Sequence, residues 1–457
     1  MPLLFGAVHP VVVGMYTACI LVACGGWLLL NSRQLPAHFL RSRWILFILF
    51  FIGWIIFTTI PLPISLLEIV SPARASSLQA INQFAGTDIK WASLNYYSSA
   101  GLMTAVFLFA LLLYTLTLNV LLREDRSLLN KLLYTCIGLG VLEATYGMLQ
   151  FINPHLGVLW LSGEVGFKGS ARGTIIYKNQ YASLLNMCWP LAIGAALLQF
   201  KKIKPAPTRK RKRSRRQALA EKITPDILTG FFFLFLASFI MMAVIFSQSR
   251  GGALAMALIM VMMLVFLPLA RKNKIQLTAC LLLLTAAYGS VVGFSSVIDR
   301  FLAIGDSGLA RINLYRTSLP MLYDHLITGI GLNSYELLSP VYLKNFPEHI
   351  HFYRAHNEYL ELTIEVGIPI ALLFFGTLFT ALFLQAKHLY HYKGKKISDL
   401  PSTKIIAIVS FCAIVGFLFH GIADFGWHLP TNLLYVVTLI GLVNNGSRKY
   451  QADNHKT

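Results

Sequence analysis

LTGFFFLFLASFIMMAVIFS, residues 228–247, runs for twenty residues without one charged side chain. At about 1.5 Å of rise per residue, such a helix is about 30 Å long, the thickness of a bilayer's hydrocarbon core. Outward from it, comparable runs lie near 11–30, 44–60, 99–122, 132–152, 180–200, 252–270, 275–294, 366–386, 405–424 and 429–444, which makes eleven. None alternates polar and apolar residues as a barrel strand does, and backbone in lipid must satisfy its own hydrogen bonds, so these runs dictate helices. Composition agrees: 56% of the 457 residues are apolar and 13% charged, against about 25% charged in a soluble domain. A water-soluble globule, a collagen, a coiled coil and a disordered chain are all excluded. The first run has no basic residue before it and reads as a span, not a cleavable signal. The expected fold is an all-α polytopic membrane protein. Eight transmembrane helices occupy 1–294 with a basic loop at 201–227, a long segment covers 295–365, three more helices fill 366–444, and a tail runs over 445–457.

Orientation follows from the basic residues. Placing the loop 31–43 in the cytoplasm puts 123–131, 201–227, 271–274, 387–404 and the tail there as well, and gathers 28 of the 39 Lys and Arg on that side. The net charge of +20 is therefore a topology signal and gives no reason to expect nucleic acid. The densest run, TRKRKRSRRQALAEK (208–222), is expected to lie against anionic lipid headgroups at the cytoplasmic face. Cys19, Cys24, Cys136, Cys188, Cys280 and Cys412 fall inside or at the margins of apolar runs. They read as small buried hydrophobes, with no disulfide or zinc framework.

Unusual polar residues collect in the outside loops. The segment 295–365, rich in tyrosine, is too long for a bare connection and is expected to be ordered as surface helices. GSARGTIIYKNQYA (169–182) brings Arg172, Lys178 and Asn179 to the start of the fifth span. FSQSRGGALA (246–255) places Arg250 between two apolar runs, where an arginine is expensive, and Gly251 and Gly252 let backbone approach something closely. SGLARINLYRTSLP (307–320) offers Arg311 and Arg316 at a spacing suited to one face of a surface helix. RAHNEYLELTIEVGIPI (354–370) sets His356 at the threshold of the ninth span. Glu143 and Gln150 lie within the fourth span, where a carboxyl is either functional or bonded to a neighbouring helix. His349, His351 and His356 match no helical zinc spacing, so neither a metal nor a cofactor is expected.

Fixed guanidinium groups hold diphosphate bidentately, and an imidazole takes a proton near neutral pH. A reaction needing both is displacement of a polyprenyl diphosphate by a hydroxyl, with cations stabilising the departing charge and a base activating the nucleophile.

ARGTIIYKNQYA, SQSRGGALA, GIGLNSY (329–335) and AHNEYLELTIEVG resemble signature stretches of the O-antigen ligase and O-antigen polymerase superfamily, and HGIADF, with His420 and Asp424, resembles its C-terminal signature. The resemblance covers roughly residues 140–440. It implies a multispan glycosyltransferase of the lipid-sugar-dependent (GT-C-like) kind at the periplasmic face of the inner membrane, inverting and metal-independent. The donor would be an undecaprenyl-diphosphate-linked glycan, and the acceptor a lipid A core or a second lipid-linked glycan. Arg172, Arg250 and Arg311 match the family arginines assigned to the diphosphate, and His356 the histidine assigned to the acceptor hydroxyl. Lys178, Asn179, Arg316, Asn357, Glu358, Glu143, His420 and Asp424 are expected in support. The ligase form of the histidine motif is H, then N, S or Q, nine residues, G, two residues, then G, T or Y. His356, Asn357 and Gly367 fit it, and Ile370 departs from it. MPLLFGAVHP resembles the end of a first helix that relatives possess in full, giving eleven spans instead of twelve. Two rivals stay open: a transporter of lipid-linked or anionic solutes, which should leave repeats or paired broken helices, and a non-catalytic scaffold.

Overall fold

The computed structural model describes residues 9–31, 42–159, 169–203, 224–292, 305–344, 346 and 351–447. The first residues (1–8), the basic run 208–222, His349 and the end of the tail lie outside the described residues. Each of the eleven apolar runs is a helix. They are α1 (Pro10–Leu30), α2 (Arg43–Thr59), α5 (Ser98–Glu124), α6 (Arg126–Ile152), α7 (Lys178–Lys202), α8 (Pro225–Phe246), α9 (Arg250–Phe266), α10 (Arg271–Val292), α14 (Ile368–Tyr390), α15 (Ser402–His420) and α16 (Pro430–Ser447). Among the described residues, α1, α5, α6, α7, α8, α14 and α15 are long and apolar enough to cross a membrane, while α2 and α9 are apolar but shorter. The chain is an all-α polytopic membrane protein.

The connecting helices are α3 (Ile64–Val70), α4 (Pro72–Ala85), α11 (Gly305–Asp324), α12 (Tyr335–Tyr342) and α13 (Glu358–Val366). A two-stranded antiparallel ribbon, Pro61–Pro63 against Trp91–Ser93, closes the α2–α5 connection around α3 and α4.

The bundle is organised around α7. Every residue from Gln180 to Gln199 is buried, as befits a helix that is apolar all round. It packs against α6, α8, α9, α15 and α16. Two of its polar groups are bonded across helices: Asn186 Nδ2 donates to the Gly252 carbonyl at 2.8 Å, and the Cys188 thiol reaches the Tyr435 hydroxyl at 3.1 Å. Outer helices are lipid-facing; α14 buries only Ala371 and Leu389. The cysteines follow this division. Cys136, Cys188 and Cys412 are buried, but Cys19 is exposed on α1, and Cys24 and Cys280 are half-buried, because a lipid-facing position satisfies a small apolar thiol as well as a core does.

The ninth span begins at Ile368, within two residues of the expected start at 366, and His356 is joined to it by a separate short helix, α13, that ends at Gly367, φ 80°. Only glycine takes that conformation readily. The turn is locked because the Gly331 N–H donates to the Glu365 carbonyl (2.9 Å) and the Ile368 N–H to the Leu326 carbonyl (2.8 Å), so the GIGLNSY loop is pinned to the α13–α14 corner.

Candidate functional site

The polar loops meet at one end of the bundle. The loop 169–177 is fastened to the α8–α9 turn by Ala171 N–H to the Phe246 carbonyl (2.9 Å) and by Gln248 Nε2 to the Gly169 carbonyl (2.5 Å). Two groups of α6 hold the same loop from beneath. Glu143 accepts from the Thr174 N–H (2.9 Å) and hydroxyl (2.7 Å), and Gln150 Nε2 donates to the Gly173 carbonyl (2.8 Å). Of the two readings of the intramembrane carboxyl, bonding to a neighbouring segment describes its contacts. Within the loop, Arg172 donates from Nε to Ser170 Oγ (3.1 Å) and from Nη1 to the Ile176 carbonyl (2.8 Å). Burial pushes its guanidinium down from the usual arginine range. Lys178 and Asn179 follow, half-buried, in the first turn of α7.

Arg250 is the first residue of α9, whose N-terminus is capped by Ser249 Oγ accepting from the Gly252 N–H (3.1 Å). The glycines after it admit neighbouring helices: Gly251 lies against the His420 ring, where a Cβ would sit 2.8 Å from Nε2, and Gly252 lies against Ala182 of α7. The α8–α9 turn is thereby brought to the end of α15 and the HGIADF stretch.

That stretch carries the central contact. Asp424 is buried, with Oδ1 3.7 Å from His356 Nδ1 and Oδ2 4.0 Å from His420 Nε2. Burial alone would raise its carboxyl, but the imidazoles of His356 and His420 and the Phe425 N–H (2.8 Å) hold it below the usual carboxylate range. The His356 ring stands edge-on to Phe425, centroids 4.8 Å apart, and Phe425 also meets Tyr177 at 5.2 Å. His356 has φ 53°, a left-handed conformation that costs a non-glycine residue about 1–3 kcal/mol and persists only when its surroundings enforce it. Asn357 then caps α13, its Oδ1 accepting from the N–H groups of Tyr359 and Leu360, both at 3.0 Å.

Arg311 lies on α11 one turn before Tyr315, whose hydroxyl donates to the His356 carbonyl at 2.9 Å. Burial lifts the Tyr315 phenol, Arg311 opposes that and Asp424 adds to it, so the guanidinium and the carboxylate both act on this one side chain. Arg316 does not share that face. Five residues turn a helix through about 500°, leaving the two arginines roughly 140° apart, and Arg316 lines an outer cleft with Asn313, Thr317 and Phe346. The expectation of one shared face is corrected accordingly.

Beneath His356 lies a buried cluster that sequence reading missed, apart from Glu358. Glu358, Glu361 and Glu365 recur at i, i+3 and i+7 on α13, in an otherwise apolar helix. That stripe was the available signal. Glu361 Oε1 is 3.0 Å from Arg354 Nη1 and 3.4 Å from His428 Nε2, and His428 Nδ1 is 3.0 Å from Glu358 Oε2. Burial pushes Glu358 up to about 8, against the pull of the Trp427 N–H and Arg354. It also raises Glu365, with Glu361 adding to it, and lowers His428 to about 4. Burial opposes the charge on Arg354, but Glu361 and Glu365 raise its pKa above the usual arginine value. Glu361, Glu365 and His428 bring metal-ligating atoms within 4.8 Å of one another. A guanidinium already meets the carboxylate at the centre of that group, and the arrangement balances charge without a further cation.

The site thus consists of basic and acidic loops gathered at one end of a helical membrane bundle, with an imidazole–carboxylate pair at its centre and arginines on three converging segments. Residues 232–375 match the family model Wzy_C, O-antigen ligase. The match supports the O-antigen ligase/polymerase superfamily for this stretch and a ligase- or polymerase-like glycosyltransferase in general. Arg250, Arg311 and His356 fall within the match, and Arg172, His420 and Asp424 outside it. A comparison with curated proteins finds no match.

Proposed function

We propose that the protein transfers a glycan from an undecaprenyl-diphosphate carrier to an acceptor hydroxyl, a lipid A core sugar, at the periplasmic face of the inner membrane. The observation that supports this most is the run of contacts from Gly251 to His420, Asp424 and His356, which sets the Arg250 turn beside a candidate base. The carrier's phosphates lie against Arg172, Arg250 and Arg311, and its lipid tail passes between helices. His356 takes the acceptor's proton, and the alkoxide attacks the anomeric carbon opposite the phosphate. The bond to the diphosphate breaks with its electron pair, and configuration inverts. Asp424 faces the imidazolium that forms, and the arginines stabilise the departing diphosphate. No metal takes part.

Transfer is measured in vitro with purified protein in detergent and lipid-linked glycan. Removing one preorganised donor from such a site costs roughly 100- to 1000-fold in rate. Arg250→Ala should show that loss, and Arg250→Lys should stay impaired because a point charge does not replace the fork. Wild-type turnover by both Arg250→Ala and His356→Ala refutes the assignment, and loss of turnover in EDTA with recovery on adding a divalent ion refutes its metal-free form. A polymerase joining lipid-linked repeats is the second reading, favoured by Ile370, which departs from the ligase pattern. A ladder of lengthening chains, instead of a single transferred glycan, would select it.

A further inference from the structure

His356 sits in irregular backbone between α12 and α13, where no helix or strand ladder fixes its direction. Two hydrogen bonds from different elements close on the adjoining peptide groups. We propose that Tyr315 and Glu361 are positioning residues for this histidine: the Tyr315 hydroxyl donates to the His356 carbonyl at 2.9 Å, and Glu361 Oε2 accepts from the Ala355 N–H at 2.7 Å, holding the left-handed turn from both sides. The inference rests on reading His356 as the base.

The physical need is clear from the conformation. A histidine at φ 53° relaxes to negative φ when its neighbours let go. Rotation about that bond swings the ring away from Asp424 and Phe425. Each clamp is itself anchored. Glu361 is fully buried and ion-paired with Arg354, whose Nη1 also donates to Asn333 Oδ1 at 3.1 Å. Asn333 belongs to the GIGLNSY loop, so that motif is linked to the base through Arg354, Glu361 and the Ala355 amide. Tyr315 is one turn from Arg311 on α11. The element that carries a diphosphate arginine therefore also fixes the base, and docking of α11 sets the spacing between them.

The test is a double-mutant cycle. Tyr315→Phe deletes one hydroxyl and is compared in the wild-type and His356→Ala backgrounds, using radiolabelled lipid-linked donor and long single-turnover incubations. Misplacing a reacting group by about 1 Å costs on the order of 100-fold, so a loosened base should lose roughly 10- to 100-fold in kcat, with the donor's KM and the melting temperature unchanged. In the His356→Ala background the same substitution should cost nothing further, because it acts only through the missing imidazole. Glu361→Gln keeps an acceptor for the Ala355 amide and should retain more kcat than Glu361→Ala. Wild-type kcat in Tyr315→Phe, a loss confined to KM, or an equal loss in both backgrounds overturns the proposal. Wild-type turnover in His356→Ala alone instead overturns the reading of the base.

Discussion

Asp424→Asn isolates the electrostatic part of the site. Asparagine has the same shape and keeps an oxygen for the Phe425 N–H, so what disappears is the negative charge facing two imidazoles. Two unit charges 3.7 Å apart interact by about 4 kcal/mol at an effective dielectric of about 20. The His356 side chain is 32% exposed, and solvent screens roughly half of that. About 2 kcal/mol remains for stabilising the imidazolium formed when the acceptor's proton moves, which is about 30-fold in rate. The loss should appear in kcat and leave the donor's KM unchanged, since the carboxylate acts on a charge that exists only as the reaction proceeds. Initial rates of glycan transfer over a donor titration measure it. A variant with wild-type kcat, or one whose whole defect lies in KM, would refute the role of the carboxylate as partner to the base.

Three other expectations follow from the geometry. Gly251→Ala introduces a methyl 2.8 Å from His420 Nε2, so the ring must shift and transfer should fall several-fold while the protein still elutes as a folded species from size-exclusion chromatography. Glu143→Ala strips both acceptors from Thr174 and leaves a half-buried N–H unpaired, a loss of about 1 kcal/mol in stability that Glu143→Gln should largely avoid; thermal melts of the two variants compare them. Because Glu358 is raised to about 8 in the folded state and Glu365 is raised in the same direction, above the unfolded value of about 4.3, their contribution is fully present below about pH 4.3 and is lost as pH rises, for Glu358 through about 8. The melting temperature should decline over that window, and Glu365→Gln should make the decline shallower.

The helices were legible because an apolar run of bilayer length admits almost no other structure. All eleven runs are helical, and the ninth starts within two residues of the expected position. In EYLELTIEVGIPIALL the break expected at residue 366 lies close to the one observed, and a positive φ at Gly367, enforced by a loop more than thirty residues upstream, makes it. In the site, His356, His420 and Asp424 could be picked out because charged or imidazole groups beside apolar spans are costly and therefore conspicuous. Arg354, Glu361, Glu365 and His428 were passed over because their partners lie across turns or on other helices, and a loop arginine beside a tyrosine-rich segment looks solvated until its counter-ion is known. Arg316 is the opposite case: its charge is plain in the sequence, but the five-residue spacing turns it about 140° from Arg311 on the helix.

The enclosed position of α7 has a consequence for how the chain is made. Synthesis releases this helix before α9, the Phe425 loop and α16 exist, yet Asn186 bonds to Gly252, Gln180 Nε2 reaches the Phe425 carbonyl at 3.4 Å, and Cys188 meets Tyr435. Asn186 gains its partner once residue 252 is made, Gln180 once residue 425 is made, and the set is complete only when translation has passed residue 435. A nascent chain arrested before that point is an open ring with its axle exposed to lipid, so premature termination late in the gene should leave a protein as vulnerable to membrane proteases as one truncated near the middle.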